Sequence, residues 1–223
     1  MSAQPGPERD RRAAAVRRTV VDVERRAAHA LRGAMERPPL VAICGAADAT
    51  AQNERDAEEV GRLLAERGAV VLCGGFEGVM CAAARGAAQG EGLSIGVLAG
   101  DEPDAAADEV TIALPTGLGE LANAVLPRMV HGVVAIGQGY GTLTEVAHAI
   151  KLGRPVVGLG SWEIHGADGS PDGAVHPAGS PQEAVDWLLD ELRRRNRNGA
   201  GRTPPGQNPA DERTGPRRGD ATR

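Results

Sequence analysis

The chain has 223 residues, 41% hydrophobic, 25% charged and only 2% aromatic, with a formal net charge of −5. That length suits one domain with tails or two small domains, and so few aromatic side chains argue against a nucleic-acid reader that stacks bases on an aromatic platform. No run of 18 apolar residues occurs, which excludes a membrane-spanning helix, and the arginine-rich start lacks the apolar stretch of a secretory signal.

The charge is unevenly spread. Residues 1–38 carry nine arginines against five acids, and 193–223 carry nine against three, so the 39–192 segment between them is strongly acidic, with Lys151 the lone lysine of the chain. An acidic middle repels a nucleic-acid backbone, so nucleic acid is not the expected partner. The basic ends read either as solubilising tails or as contacts to RNA or membrane phosphates. Cys44, Cys73 and Cys81 are an odd number without metal-ligand spacing, which suits reduced thiols in a cytoplasmic protein.

In chain order, residues 1–10 read as disordered. Arg11 to Met35 then reads as a helix, with Val16, Val20, Val23, Ala27 and Leu31 at spacings of three and four. Together, 1–38 form a basic extension, partly helical. Leu40–Cys44 is a strand ending at Gly45, followed by a helix with Ala57, Val60, Leu63 and Leu64 on one face. Ala69–Cys73 is a second strand, running into Gly74-Gly75 and a helix of small residues from Gly78 to Gln89. Leu93–Leu98 and Glu109–Ala113 are further strands, and a helix from Gly119 to Val130 precedes strand Gly132–Ile136. A helix over Thr142–Leu152 and strand Pro155–Leu159 follow, then a mobile loop from Ser161 to Ser180. A last helix from Ser180-Pro181 carries Ala184, Val185, Trp187, Leu188 and Leu192. Apolar strands alternating with helices define an α/β fold, a Rossmann-like doubly wound parallel sheet with helices on both faces. It spans 39–195, and the Pro-, Gly- and charge-rich stretch 196–223 is expected to be a disordered tail.

Such sheets bind ligands beyond the carboxyl ends of their strands. Three strand ends are glycine-rich: Gly45, Gly74-Gly75-x-x-Gly78, and Gly137-x-Gly139-x-Gly141-Thr142. Glycine lets backbone N–H groups approach an anion, and the following helix offers unpaired donors and a positive dipole end, so a phosphorylated ligand needs no lysine. The spacing is neither GxGxxG nor a Walker A loop. Thr142-x-x-Glu145 has two readings: a capping box, or a carboxylate standing over the loop to bind sugar hydroxyls or stabilise developing positive charge. His131 and His148 read as structural residues in helical surroundings. Glu163, His165, Asp168, Asp172 and His176 have no metal spacing, so no metal site is expected. Trp162 reads either as a cover for a ligand or as packing at the sheet edge, and Cys73 as a small buried hydrophobe.

GQGYGTLTE (137–145) resembles the PGGxGTxxE signature of the LOG (Lonely Guy) proteins, the SLOG family formerly labelled lysine decarboxylase-like. CGGFEGVMCAAARGA (73–87) resembles that family's second glycine-rich element, and residues 133–162 resemble in particular the subgroup related to molybdenum cofactor carrier proteins. The resemblance covers residues 40–190. It implies a Rossmann-like, usually dimeric, nucleotide-binding protein with no metal of its own, and a phosphoribohydrolase activity in its cytokinin-activating members. Gly139, Tyr140, Gly141, Thr142 and Glu145 match the signature, whereas Gly137 stands for Pro and Gln138 for Gly. Ala122, beside Asn123, stands where the hydrolases carry an Arg that contacts the ligand, and Arg128 lies nearly two turns on. Loss of such a charge-assisted contact costs about 10² to 10³ in rate. The expectation is therefore a homodimeric binder of a phosphorylated nucleotide- or pterin-like molecule, possessing no required cofactor but able to hold a nucleotide or molybdopterin-type ligand. The rivals are a nucleoside 5′-monophosphate phosphoribohydrolase with Glu145 as its catalytic residue, and a scaffold with a dead pocket.

Overall fold

The computed structural model describes residues 37–198. The expected helix over 11–35 and the chain beyond Asn198 lie outside them. Seven strands form one sheet: β1 (Leu40–Gly45), β2 (Val70–Cys73), β3 (Ser94–Leu98), β4 (Ile112–Pro115), β5 (Gly132–Ile136), β6 (Val156–Leu159) and β7 (Val175–Ala178). Every pairing is parallel, in the order β4-β3-β2-β1-β5-β6-β7. The helices are α1 (Ala51–Glu66), α2 (Val79–Gln89), α3 (Ala122–Met129), α4 (Tyr140–Lys151) and α5 (Pro181–Arg197).

Side chains of β1 alternate between two cores, as a pleated strand requires. Val41 and Ile43 join Val60 and Leu64 of α1, Val79 and Ala83 of α2, and Val185 and Leu188 of α5. Ala42 and Cys44 join Leu126 of α3 and Val146 and Ala149 of α4 on the other face. Both faces are therefore covered, which is why the strands read as unbroken apolar runs. The small residues of α2 serve close approach: a Cβ at Gly86 would collide with the Glu58 carbonyl of α1.

Five expectations need correction. The stretch 161–180 contains a seventh strand, β7, paired with β6 from Val156↔Val175 to Leu159↔Ala178. Only four residues long and half-buried at the sheet edge, it lacks the apolar density that marks the inner strands. The fourth strand begins at Ile112 rather than Glu109, because Thr111 is tied sideways: its N–H donates to Ser94 Oγ at 2.9 Å. The helix expected from Gly119 opens as a single 3-10 turn, Gly119–Leu121, before α3 begins at Ala122. His131 lies between α3 and β5 rather than in a helix, where its Nδ1 accepts the Leu40 N–H at 2.9 Å. Helix α5 continues through Arg197, two residues into the stretch assigned to the tail.

Candidate functional site

Strands β1, β2 and β5, whose ends carry the three glycine-rich turns, are neighbours at the centre of the sheet. The chain adds strands outward from β1 through β2 to one edge, then restarts at β5 on the other side. Crevices at such a switch point, outside the carboxyl ends, are where open α/β sheets bind ligands. A cavity of about 340 Å³ opens there, within the size range of small-molecule sites.

Of the residues singled out from sequence, Gly45, Gly74, Asn123, Gly139, Tyr140, Gly141, Thr142 and Glu145 all line this cavity. Gly75, Gly78 and Gly137 do not. Gly75 packs on Leu98 and Gly96, and Gly137 backs onto the Asn53 side chain. Gly78 sits at φ 62°, and a Cβ there would strike the carbonyls of Ala46 and Ala47. A side chain is thus excluded twice over, by backbone conformation and by space.

The helix ends differ in who satisfies them. Thr50 caps α1, accepting the Asn53 N–H at 3.2 Å, and Ser180 caps α5, accepting the Glu183 N–H at 3.2 Å. Neither α2 nor α4 has a side-chain cap: Gly78 and Gly139 occupy those positions. At α2 the Val79 N–H is engaged by the Ala46 carbonyl at 3.2 Å. At α4 the first engaged donor is Leu143, bonded to the Gly139 carbonyl at 2.8 Å. The N–H groups of Tyr140, Gly141 and Thr142 have no acceptor among the described residues, at the edge of the cavity. This overturns the capping-box reading of Thr142-x-x-Glu145. The helix begins two residues earlier, so Thr142 is its third residue and Glu145 its sixth, too far along to reach back to a cap.

Glu145 is 8% exposed and lines the cavity. Among the described residues no lysine, arginine or histidine lines it with Glu145. Burial pushes its carboxyl up to about 7, a rise only partly offset by the Cys44 thiol beside it. Glu191 on α5 is equally buried, yet it pairs with Arg194 and with Arg195 at 2.6 Å. Burial opposes ionisation there too, but the two arginines hold its carboxyl below the usual range. Against that pair, Glu145 is a buried acid with the Cys44 thiol beside it and no cationic partner among the described residues. Cys44 and Cys73 are buried, and desolvation raises both thiols, Cys73 to about 11. That keeps them protonated and makes Cys73 the inert hydrophobe its position suggested.

Ala122 lines the cavity, 5% exposed, where the resemblance calls for an arginine. Arg128 is exposed near the far end of α3 and does not line it. Trp162 donates its Nε1–H to the Gly139 carbonyl at 3.1 Å. Its ring lies 6.1 Å from that of Tyr140, tilted by 33°, so it sits at the loop rather than at the sheet edge. Sequence reasoning passed over Phe76 and Met80, which also line the cavity. Phe76, the only phenylalanine, lies inside the Gly74–Gly78 loop, and that rarity was the available signal. Among the described residues no group of three His, Cys, Asp or Glu side chains is placed to hold a metal, and no helix is long and apolar enough to cross a membrane.

A family model described as the SLOG cluster4 family matches residues 38–185. Among solved structures, the molybdenum cofactor binding protein of the phototrophic bacterium Rippkaea orientalis aligns with a TM-score of 0.64 and 34% identity, covering 70% of this chain and 98% of that one. The molybdenum cofactor carrier protein of Chlamydomonas reinhardtii aligns with a TM-score of 0.60 and 32% identity, covering 71% and 99%. An uncharacterized protein of Archaeoglobus fulgidus is 34% identical over 119 residues, 53% of this chain and 78% of its own.

Proposed function

Because the chain belongs to the SLOG cluster4 family, we propose that it is a cytoplasmic binding protein for a phosphorylated, nucleotide- or pterin-like small molecule, and that a molybdopterin-type cofactor is the cargo that suits it best. One observation carries this reading: the open N–H groups of Tyr140, Gly141 and Thr142 stand at a cavity whose remaining lining is small or apolar residues with Asn123 and Glu145. Three convergent donors at a positive helix end suit a terminal phosphate and require no cation. The names of the Rippkaea and Chlamydomonas proteins support a pterin cofactor as the rest of the ligand.

In this reading Gly45, Gly74 and Gly139 to Thr142 form the cradle, while Asn123 and Glu145 supply side-chain contacts. Gly75, Gly78 and Gly137 shape the turns from behind. The molybdenum of such a cargo would travel with its own ligands, since the described residues offer it no set of side chains. Exposed Ile112 and Leu114 on edge strand β4 supply apolar surface for the homodimer the resemblance implies, and sedimentation of the full chain tests that part.

Catalysis is the second reading, favoured by the raised carboxyl of Glu145, which could serve as an acid near neutral pH. Ala122 argues against it, because none of the described residues lining the cavity replaces the positive charge the hydrolases place there. The test combines two assays on the purified full chain. Thermal melts with AMP, GMP and neopterin monophosphate should show stabilisation, about 2.7 kcal/mol at 100 times the dissociation constant. Chromatography of the same mixtures should show no free base above background. Absence of any shift overturns the binding reading, and base release that disappears in Glu145→Gln establishes the enzyme instead.

A further inference from the structure

The chain spends its aromatic residues in an unusual place. It has four: two Trp, one Tyr and one Phe. Such side chains carry the largest apolar surface of any and ordinarily anchor a core, yet none is among the buried residues of either core cluster. Trp187 lies partly buried at the edge of one core, stacked on His176 with centroids 4.2 Å apart. The other three gather at the cavity. Phe76 lines it from the β2–α2 turn, Tyr140 from the first residue of α4, and Trp162 approaches Tyr140 from the β6–β7 connection.

Tyr140 is the least protected of them, 83% exposed, and its hydroxyl has no hydrogen-bond partner among the described residues. Packing does not explain a solvent-facing ring at that position. Trp162, by contrast, is fixed. Its indole N–H is tied to the Gly139 carbonyl, on the turn that opens α4. The pair therefore stands beside the three open N–H groups, Tyr140 contributing one of those donors from its own backbone. An anion held at the helix end would have a ring face one residue away.

We infer that the aromatic rim formed by Tyr140 and Trp162, with Phe76 on the cavity wall, is a stacking subsite for the planar heterocycle of the ligand. This rests on the anion-binding reading above and adds to it a division of labour. Backbone donors hold the phosphate, and ring faces select a flat, conjugated partner such as a pterin or purine over a bare sugar phosphate. Stacking of this kind is tolerant of ring identity, because every such heterocycle presents a π-face.

The test uses the full chain with Trp187→Phe, which leaves Trp162 as the single indole reporter. GMP, neopterin monophosphate, ribose 5-phosphate and sulfate are titrated in turn, following Trp162 emission and calorimetric affinity. The heterocyclic phosphates should quench Trp162 and bind about tenfold or more tighter than ribose 5-phosphate. Tyr140→Ala should erase most of that advantage, weakening the heterocyclic phosphates about tenfold more than ribose 5-phosphate or sulfate, and Tyr140→Phe should restore it. Equal affinity for ribose 5-phosphate and both heterocyclic phosphates overturns the subsite, as does a Tyr140→Ala variant that weakens all four probes alike or none. A Tyr140→Ala variant that alters the oligomeric state with ring affinity intact overturns it too, assigning the ring to a subunit contact. Binding of none of the probes overturns the anion reading itself, a distinct result because sulfate and ribose 5-phosphate need no ring contact.

Discussion

The β2–α2 and β5–α4 turns look alike in sequence, each a cluster of glycines between an apolar strand and a helix, yet they use those glycines for opposite purposes. In the β2–α2 turn the space beside the backbone is already filled. Leu98 and Gly96 crowd Gly75, the carbonyls of Ala46 and Ala47 crowd Gly78, and the Met80 sulfur lies over Gly74. In the β5–α4 turn the space beside Gly139 and Gly141 is open: an added Cβ would first meet Thr142 Oγ1 at 3.5 Å or Asn123 Nδ2 at 3.8 Å. Glycine is a steric necessity in the first turn. In the second it keeps a helix end bare. A glycine cluster therefore signals a ligand site only where removing the side chain leaves room that nothing else occupies.

Substitution separates the two roles. The largest effect is expected for Gly78→Ala, which combines a disfavoured φ with a backbone collision and should cost about 2–4 kcal/mol in chemical denaturation. A variant as stable as the parent would mean that this turn is not crowded.

Glu145→Gln should come next, and its effect depends on pH. The folded carboxyl titrates near 7, above its ordinary 4.5. Its contribution to stability is therefore fully present below about 4.5 and lost as pH rises through 7, a loss of up to about 3 kcal/mol at 1.36 kcal/mol per unit. The glutamine variant should match the parent near pH 4 and exceed it at pH 8. Anion affinity should follow the same course, falling above pH 7 in the parent, where a carboxylate would face the anion, and staying level in the variant. Parallel stability curves for the two proteins would show that Glu145 is not held in its neutral form.

Gly141→Ala should fold at least as well as the parent, since alanine favours a helix by roughly 0.5–1 kcal/mol. Its methyl group should nonetheless weaken phosphate-ligand binding about tenfold by entering the cavity beside Asn123. The smallest effect on stability belongs to Gly139→Ser, which gives α4 the cap that Thr50 gives α1. A gain of only a few tenths of a kcal/mol is expected, together with weaker anion binding, because the new hydroxyl competes for the same donors. If that variant binds anions as well as the parent, the bare helix end is not the site.

The inner strands were plain from sequence because burial on both faces leaves no polar alternation, and Val, Ile and Leu fill every position from Leu40 to Ile43 apart from Ala42. Strand β7 was hidden by its shortness, its Pro177 and the glycine-rich approach to it, since an edge strand needs only one neighbour. At the site, strand ends and glycines located the cavity. They did not reveal that α4 begins at Tyr140, because Thr142 is a plausible cap and the extended conformation of Gly139 is set by tertiary contacts, among them the Trp162 bond to its carbonyl. The isolation of Glu145 was half legible. Ala122 announced a missing arginine, but only the fold shows that no other cation among the described residues lines the cavity.

The central claim is that an uncapped helix end holds the anion through main-chain donors. Amide NMR of the full chain during a sulfate titration tests it most directly. The account predicts saturable shifts at the N–H resonances of Tyr140, Gly141 and Thr142, with the capped Asn53 and Glu183 amides unmoved. Shifts absent from those three, or equal at the capped helices, would contradict it.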